Sequence, residues 1–279
     1  MTAWNTIMNI SHTELERLTK TAIEAAQLGG SILNDYAQKG FEIQKKSEIN
    51  LVTEADLAAE KAIVNVISQS FPSHQILAEE KGLHTTHESP YKWIIDPLDG
   101  TTNFIKGIPH FSVSIALKVK GKLDQAVIYD PIRGELFSAS RGKGAQLNGF
   151  RIRVNKAKEL NSAVLATGFP FKQKQHTSAY MNMFQSLFLK TTDMRRAGSA
   201  ALDLAYVAAG RVDGFFEIGL KPWDTAAGEL LVIESGGLVT DFVGGHNHEK
   251  SGNIVAGSSL ILKDILKDIR PHLGDALSK

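Results

Sequence analysis

Residues 93–104 read Trp-Ile-Ile-Asp-Pro-Leu-Asp-Gly-Thr-Thr-Asn-Phe. An apolar run of the kind that builds strands ends directly on Asp96 and Asp99, three positions apart. Pro97 fixes φ of the turn between them, and Gly100 admits a backbone conformation that a side chain resists. Both carboxylates then converge at the end of the strand. Such a pair suits a hard cation such as Mg²⁺, which takes oxygen ligands and keeps waters for a phosphate to replace. The Leu98 carbonyl offers a further oxygen. The amides of Gly100, Thr101 and Thr102 follow at once as a concave donor nest for an anion, aided by a helix turn beginning there. The same string is also an excellent turn, with Asp side chains capping their own backbone. The segment alone leaves turn and metal site open.

Downstream, strands are expected over 111–119, 125–129, 135–139 and 150–154. The sequences Lys120-Gly121-Lys122, Asp130-Pro131 and Arg133-Gly134 between them are turn chemistry, so this stretch reads as an antiparallel meander. Upstream, β-rich runs over 74–78 and 92–95 flank a charged loop through Lys81, His84, His87 and Glu88. Two helices precede them. One starts at Ser11, with Glu14 placed for a capping box and Leu15, Leu18, Ala22, Ala25, Ala26, Ile32, Leu33 and Tyr36 on one face. The other starts after Thr53, buries Leu57, Ile63, Val66 and Ile67, and stops at Pro72.

The second half alternates. Strands are expected over 163–166, 214–218, 238–242 and 254–256, and helices over 178–188, 199–209, 225–235 and 261–269. Alternation of this kind implies stacked α and β layers, an α+β fold. No repeat or long linker interrupts the chain, so residues 1–279 read as one compact unit. A boundary near 155, between 13–155 and 156–279, lies inside it.

Bulk properties narrow the function classes. With 43% hydrophobic and 22% charged residues, the composition is that of a globular protein. Thirty-one Lys and Arg against 30 Asp and Glu leave no whole-chain field toward nucleic acid or membrane. There is no cysteine, which excludes disulfides, thiolate metal sites and thiol nucleophiles. Any metal must be held by oxygen or imidazole. The amino terminus lacks the pattern of a secretory signal, and no apolar run approaches the ~20 residues that span a bilayer. The expected location is the cytoplasm.

Further acids extend the first pair. Glu79 and Glu80 end the run Gln75-Ile76-Leu77-Ala78, and Asp224 follows Trp223 where a helix begins. Each is by itself an ordinary strand end or N-cap. Together with Asp96 and Asp99 they would complete a site for two or three metals.

The string from Asp96 to Phe104, with the later Trp223-Asp224-Thr225-Ala226-Ala227-Gly228, resembles the two signatures of the inositol monophosphatase family. The likeness runs from about residue 13 to the carboxyl terminus, and residues 197–210 look like bacterial members in particular. The resemblance implies a layered αβαβα sandwich, shared with fructose-1,6-bisphosphatases. It implies Mg²⁺ held by Glu79, Asp96, the Leu98 carbonyl, Asp99 and Asp224, water polarised by Glu79 with Thr101, and catalysis involving Asp99. Phosphate would rest on Gly100, Thr101 and Thr102. Glu217 matches a polyol-binding acid, Ala200 and Arg195 match pocket positions, Asp224 also meets substrate, and Asp56 is an outer carboxylate near the third metal. The implied reaction is hydrolysis of inositol 1-phosphate, inhibited by lithium, in a homodimer. Fructose 1,6-bisphosphate or a nucleotide phosphate is the alternative substrate. Bacterial relatives are also implicated in binding the transcription machinery, so RNA polymerase and antitermination factors are candidate partners.

Other features read as bland. His246 and His248 sit in a solvated loop, Arg141-Gly142-Lys143-Gly144 is a turn although it could touch RNA, and Arg195-Arg196 is equally a surface pair or a substrate or subunit contact. Phe169, Phe171, Met181, Met183, Phe184, Leu187 and Phe188 are core or a dimer contact.

Overall fold

The computed structural model describes residues 11–47, 50–84 and 88–278, so residues 1–10 and His87 of the expected charged loop lie outside the described residues. Helix α1 (His12–Lys39) starts where its cap predicts, the Ser11 hydroxyl accepting from the Glu14 amide at 3.1 Å. A hairpin of β1 (Ile43–Ser47) and β2 (Asn50–Thr53) follows, and its lysine-bearing first strand gave no apolar alternation to detect. Thr53 then caps α2 (Glu54–Ser70) in a reciprocal box with Asp56. Leu18, Ala22, Ala25, Leu33, Ile63 and Ile67 form the buried faces of these two helices.

Next come β3 (Gln75–Ala78), β4 (Gly82–Leu83), β5 (Tyr91–Asp99), the short helix α3 (Thr101–Ile105), β6 (Ser112–Val119), β7 (Lys122–Asp130), β8 (Glu135–Ser140), β9 (Gly144–Leu147) and β10 (Phe150–Arg151). Their strands make an eight-stranded sheet in the order β10-β9-β8-β7-β6-β5-β3-β4. The expected meander holds from β6 to β10, every pair antiparallel. Beyond it, β3 pairs parallel to β5 with Ala78 opposite Ile95. That register sets the carboxyl ends of the two strands side by side.

The second half supplies β11 (Val164–Thr167), α4 (Thr177–Phe188), β12 (Asp193–Arg195), α5 (Ala200–Ala208), β13 (Gly214–Glu217), α6 (Pro222–Glu234), β14 (Leu238–Thr240), α7 (His248–Ser251), β15 (Ile254–Gly257) and α8 (Ser259–Ile269). The five strands run β12-β11-β13-β15-β14, the first three parallel and the last two antiparallel to their neighbours. Helices α1 and α2 cover the outer face of the large sheet, and α4 and α8 pack beside the small one. Helices α5 and α6 lie between the sheets, burying Leu202, Leu204 and Leu231 with Phe137 of one sheet and Phe215 of the other. The result is the expected αβαβα stack.

The middle layer is tight because its helices are built from small residues. A Cβ added to Gly228 of α6 would lie 2.4 Å from the Leu204 Cβ of α5. Closely approaching helices bring their amino-terminal ends, at Ser199 and Lys221, to the same region.

Candidate active site

Residues three apart in a regular strand point to opposite faces of a sheet. Between β5 and β6 the register slips: Asp96 faces Ser114 and Asp99 faces Ser112, so β5 carries one extra residue. The slip contains Pro97, which has no N–H to give the ladder. The bulge returns Asp99 to the side of Asp96, which is the convergence the sequence required.

Each acid is anchored by one oxygen. Asp96 Oδ1 accepts from the Leu98 amide at 2.9 Å. Asp99 Oδ2 accepts from the Ser199 hydroxyl at 2.6 Å and the Ala201 amide at 2.8 Å, at the head of α5. Asp224 Oδ2 accepts from the Lys221 amide at 2.7 Å in the first turn of α6, behind Pro222. One carboxylate oxygen from each of Asp96, Asp99 and Asp224 lies within 4.8 Å of the others. Glu79 joins them through the parallel register, its amide bound to the Ile95 carbonyl at 3.1 Å.

Crowding like charges in a desolvated place raises carboxyl pKa values. Burial, with Asp224 and Glu80 nearby, pushes Glu79 up to about 8. Burial and Asp224 push Asp99 up to about 7. Asp96 stands well above the carboxylate range through burial and Glu79, and burial raises Asp224.

Around this cluster the remaining expected residues fall as follows. Gly100 has φ 98° and caps α3, and a Cβ there would sit 3.1 Å from the His110 carbonyl and 3.3 Å from that of Gly198. The Thr101 hydroxyl donates to the Leu98 carbonyl at 3.2 Å and lies 3.4 Å from Asp56 Oδ1. The other Asp56 oxygen is taken by the Thr53 amide at 2.8 Å. Asn103 Nδ2 donates to the carbonyls of His110 and Ala197, tying the loop after β5 to the loop before α5.

A cavity of about 310 Å³ opens beside the carboxylates. Glu79, Asp96, Leu98, Asp99, Gly100, Thr101, Thr102, Ala200, Glu217 and Asp224 all line it. Glu217, at the end of β13, lies so close over Gly168 that a Cβ there would be 2.1 Å from its carboxyl group. Arg195 is the exception. It is exposed, paired with Asp193 at 2.5 Å and absent from the cavity wall. Arg196 takes the place, its guanidinium carbon 5.2 Å from the Phe169 ring centroid, because consecutive residues at a strand end point to opposite sides.

The family model for the inositol monophosphatase family matches residues 14–273. The chain belongs to the inositol monophosphatase family. It is 54% identical over 260 residues to the Nus factor SuhB of Salmonella typhimurium, covering 92% of this chain and 97% of that protein. Among solved structures, the extragenic suppressor protein suhB of Bartonella henselae superposes with a TM-score of 0.89 at 40% identity, covering 92% of this chain and 99% of that one. Inositol monophosphatase from Anabaena gives 0.82 at 38% identity, covering 92% and 96%.

Membership in the inositol monophosphatase family supports phosphatase chemistry, in a family that is generally metal-dependent. The residues fit such a metal. The donors are all oxygens, which favours hard cations over thiolate- or imidazole-seeking ones. Their raised pKa values mark a site short of positive charge.

Several lining residues escaped the sequence reading. Lys172 lies on a loop with no distinguishing pattern, and Ser199 looked only like a helix start. Asp203, an acid inside the apolar run Ala-Ala-Leu-Asp-Leu, is the lining residue with a sequence signal, since a carboxyl group on a buried helix face calls for a partner. The expected solvated loop is also partly wrong: His248 is buried, its Nε2 3.1 Å from Glu229. The Arg141 turn is anchored, with the Gly142 and Gly144 amides donating to Glu234 at 2.7 and 2.8 Å. The aromatic segment divides, Met183 and Leu187 being buried while Met181 and Phe188 are exposed.

Proposed function

We propose that this protein is a Mg²⁺-dependent, lithium-sensitive phosphatase that hydrolyses a small polyol monophosphate, inositol 1-phosphate in the first instance. The observation that carries the reading is the convergence of Asp96, Asp99 and Asp224 oxygens within 4.8 Å, in one cavity with Glu79. Asp96, Asp99, Asp224, Glu79 and the Leu98 carbonyl would hold the metal. When bound, divalent cations lower the pKa of water and neutralise charge on the phosphoryl group.

The chain's own groups do the rest. Glu79, in its ionised form, polarises the attacking water and accepts its proton. The Thr101 hydroxyl helps orient that water, itself positioned by Asp56 and Leu98. The amides of Gly100, Thr101 and Thr102 receive the phosphate oxygens, and Asp224 and Glu217 meet the polyol. Ala200, 7% exposed, leaves room for it. Arg196, in place of Arg195, joins Lys172 as a cation of the pocket.

The deciding experiment is phosphate release from inositol 1-phosphate with Mg²⁺ and with chelator. Release only with the metal is expected. Release from fructose 1,6-bisphosphate or a nucleotide phosphate in its place would move the substrate, and release from none would end the phosphatase reading.

The 54% identity to a protein named a Nus factor favours a second role. We infer that this protein also joins RNA polymerase and antitermination factors, in the cytoplasm, as a homodimer that covers exposed Met181 and Phe188. A pull-down with Asp99→Asn separates the roles: polymerase retained by an inactive variant supports it, and none retained by wild type refutes it.

A further inference from the structure

Asp203 sits in the first turn of α5, where Ala200, Ala201, Leu202, Leu204 and Ala205 are buried around it. It is 3% exposed, yet it lines the cavity. Its amide serves the helix, donating to the Ser199 carbonyl at 2.9 Å. Its carboxyl group makes no hydrogen bond or ion pair among the described residues. A buried carboxyl group with no donor is costly, and a fold keeps one where a ligand supplies the donor.

Asp203 shares its wall with a second acid. Glu217 is 7% exposed and close enough that each burial-raised carboxyl group is perturbed by its acidic neighbours, Asp203 acting on Glu217 and Asp99 on Asp203. The positive charge of Arg196 reaches both. Gly168, with no side chain, forms the wall beneath Glu217. Two acceptor groups facing one small cavity match a substrate that presents more than one hydroxyl.

We propose that Asp203 is a specificity-determining residue that accepts a hydrogen bond from a substrate hydroxyl beside the one read by Glu217. It restricts the site to polyhydroxylated monophosphates over simple phosphate esters. The proposal rests on the phosphatase reading above. An ester without hydroxyls leaves both acceptors unpaired in a desolvated wall, and such a mismatch discriminates far more strongly than a missing methylene.

The test compares kcat/KM for inositol 1-phosphate and for 4-nitrophenyl phosphate, with Mg²⁺, in wild type, Asp203→Ala and Asp203→Asn. The ratio of the first substrate to the second is expected to fall on the order of 10- to 100-fold in the alanine variant, the effect of leaving a buried hydroxyl without its hydrogen-bond partner. Asparagine keeps one acceptor and should fall between. An unchanged ratio in both variants overturns the role of Asp203 and leaves the phosphatase reading intact. Wild type acting on 4-nitrophenyl phosphate alone overturns the polyol assignment, and wild type acting on neither overturns the phosphatase itself. Failure of both variants to fold also overturns the proposal, since the carboxyl group would then serve the fold.

Discussion

Asp99 carries two duties through one oxygen and one charge. Asp99→Asn keeps an acceptor for the Ser199 hydroxyl and the Ala201 amide, so the fold should stand. It removes a charge that the proposed metal requires, and phosphate release should fall on the order of 100-fold or more, read by phosphate assay. The same variant removes a charge that burial and Asp224 both disfavour, so in chelator at about pH 8 its thermal midpoint should exceed that of wild type. Ser199→Ala tests the holder. It deletes the cap of α5 and the 2.6 Å bond to Asp99. We expect about 1 kcal/mol less stability in urea and about 10-fold lower kcat/KM, because groups that orient a ligand matter nearly as much as the ligand.

At the scale of elements, two devices shape the site, the bulge in β5 and the contact of α5 with α6. Gly228→Ala would drive a methyl group into Leu204, whose Cβ lies only 2.4 Å from the added atom. Overpacking of this kind should cost about 1–3 kcal/mol, seen as a lower urea midpoint. Elements with strong local signals were readable from sequence: the helices capped by Ser11 and Thr53, and a meander punctuated by Gly and Pro. Elements stabilised from a distance were not. The strand Asp193–Arg195 is short and charged, and it exists because β11 pairs with it. Nothing local announces that β3 runs parallel to β5, although that pairing brings Glu79 to Asp96. The acids of the site were legible because the strings from Asp96 to Phe104 and from Trp223 to Gly228 resemble two family signatures, whereas the local chemistry of Pro97 and Gly100 alone suits a turn equally well. The choice of Arg196 over Arg195 was not, because it depends on the direction in which β12 enters the sheet.

For the whole molecule, the packing of α5 and α6 against both sheets argues against separable halves. We propose that residues 1–279 unfold as one unit, with no independent piece on either side of residue 155. A single transition seen alike by fluorescence and circular dichroism would support this, and two transitions would refute it. The pH dependence has a definite sign. Glu79 and Asp99 titrate near 8 and 7 when folded and near the ordinary carboxylate values when unfolded. Between these limits the folded state binds more protons, so metal-free stability falls as pH rises from about 5 to about 8. Metal displaces those protons, so Mg²⁺ should stabilise more strongly at about pH 8 than at about pH 5. Thermal midpoints at the two pH values, with chelator and with Mg²⁺, check both trends.

The acids that meet in the cavity come from distant parts of the chain, with Asp96 and Asp99 early and Asp224 late. A ribosome delivers them in that order. The first acids therefore emerge before α6 is synthesised, and the proposed cation meets the full set only once Asp224 has appeared. Capture of the proposed metal is then a late step of maturation, one that a chain truncated before Asp224 does not reach.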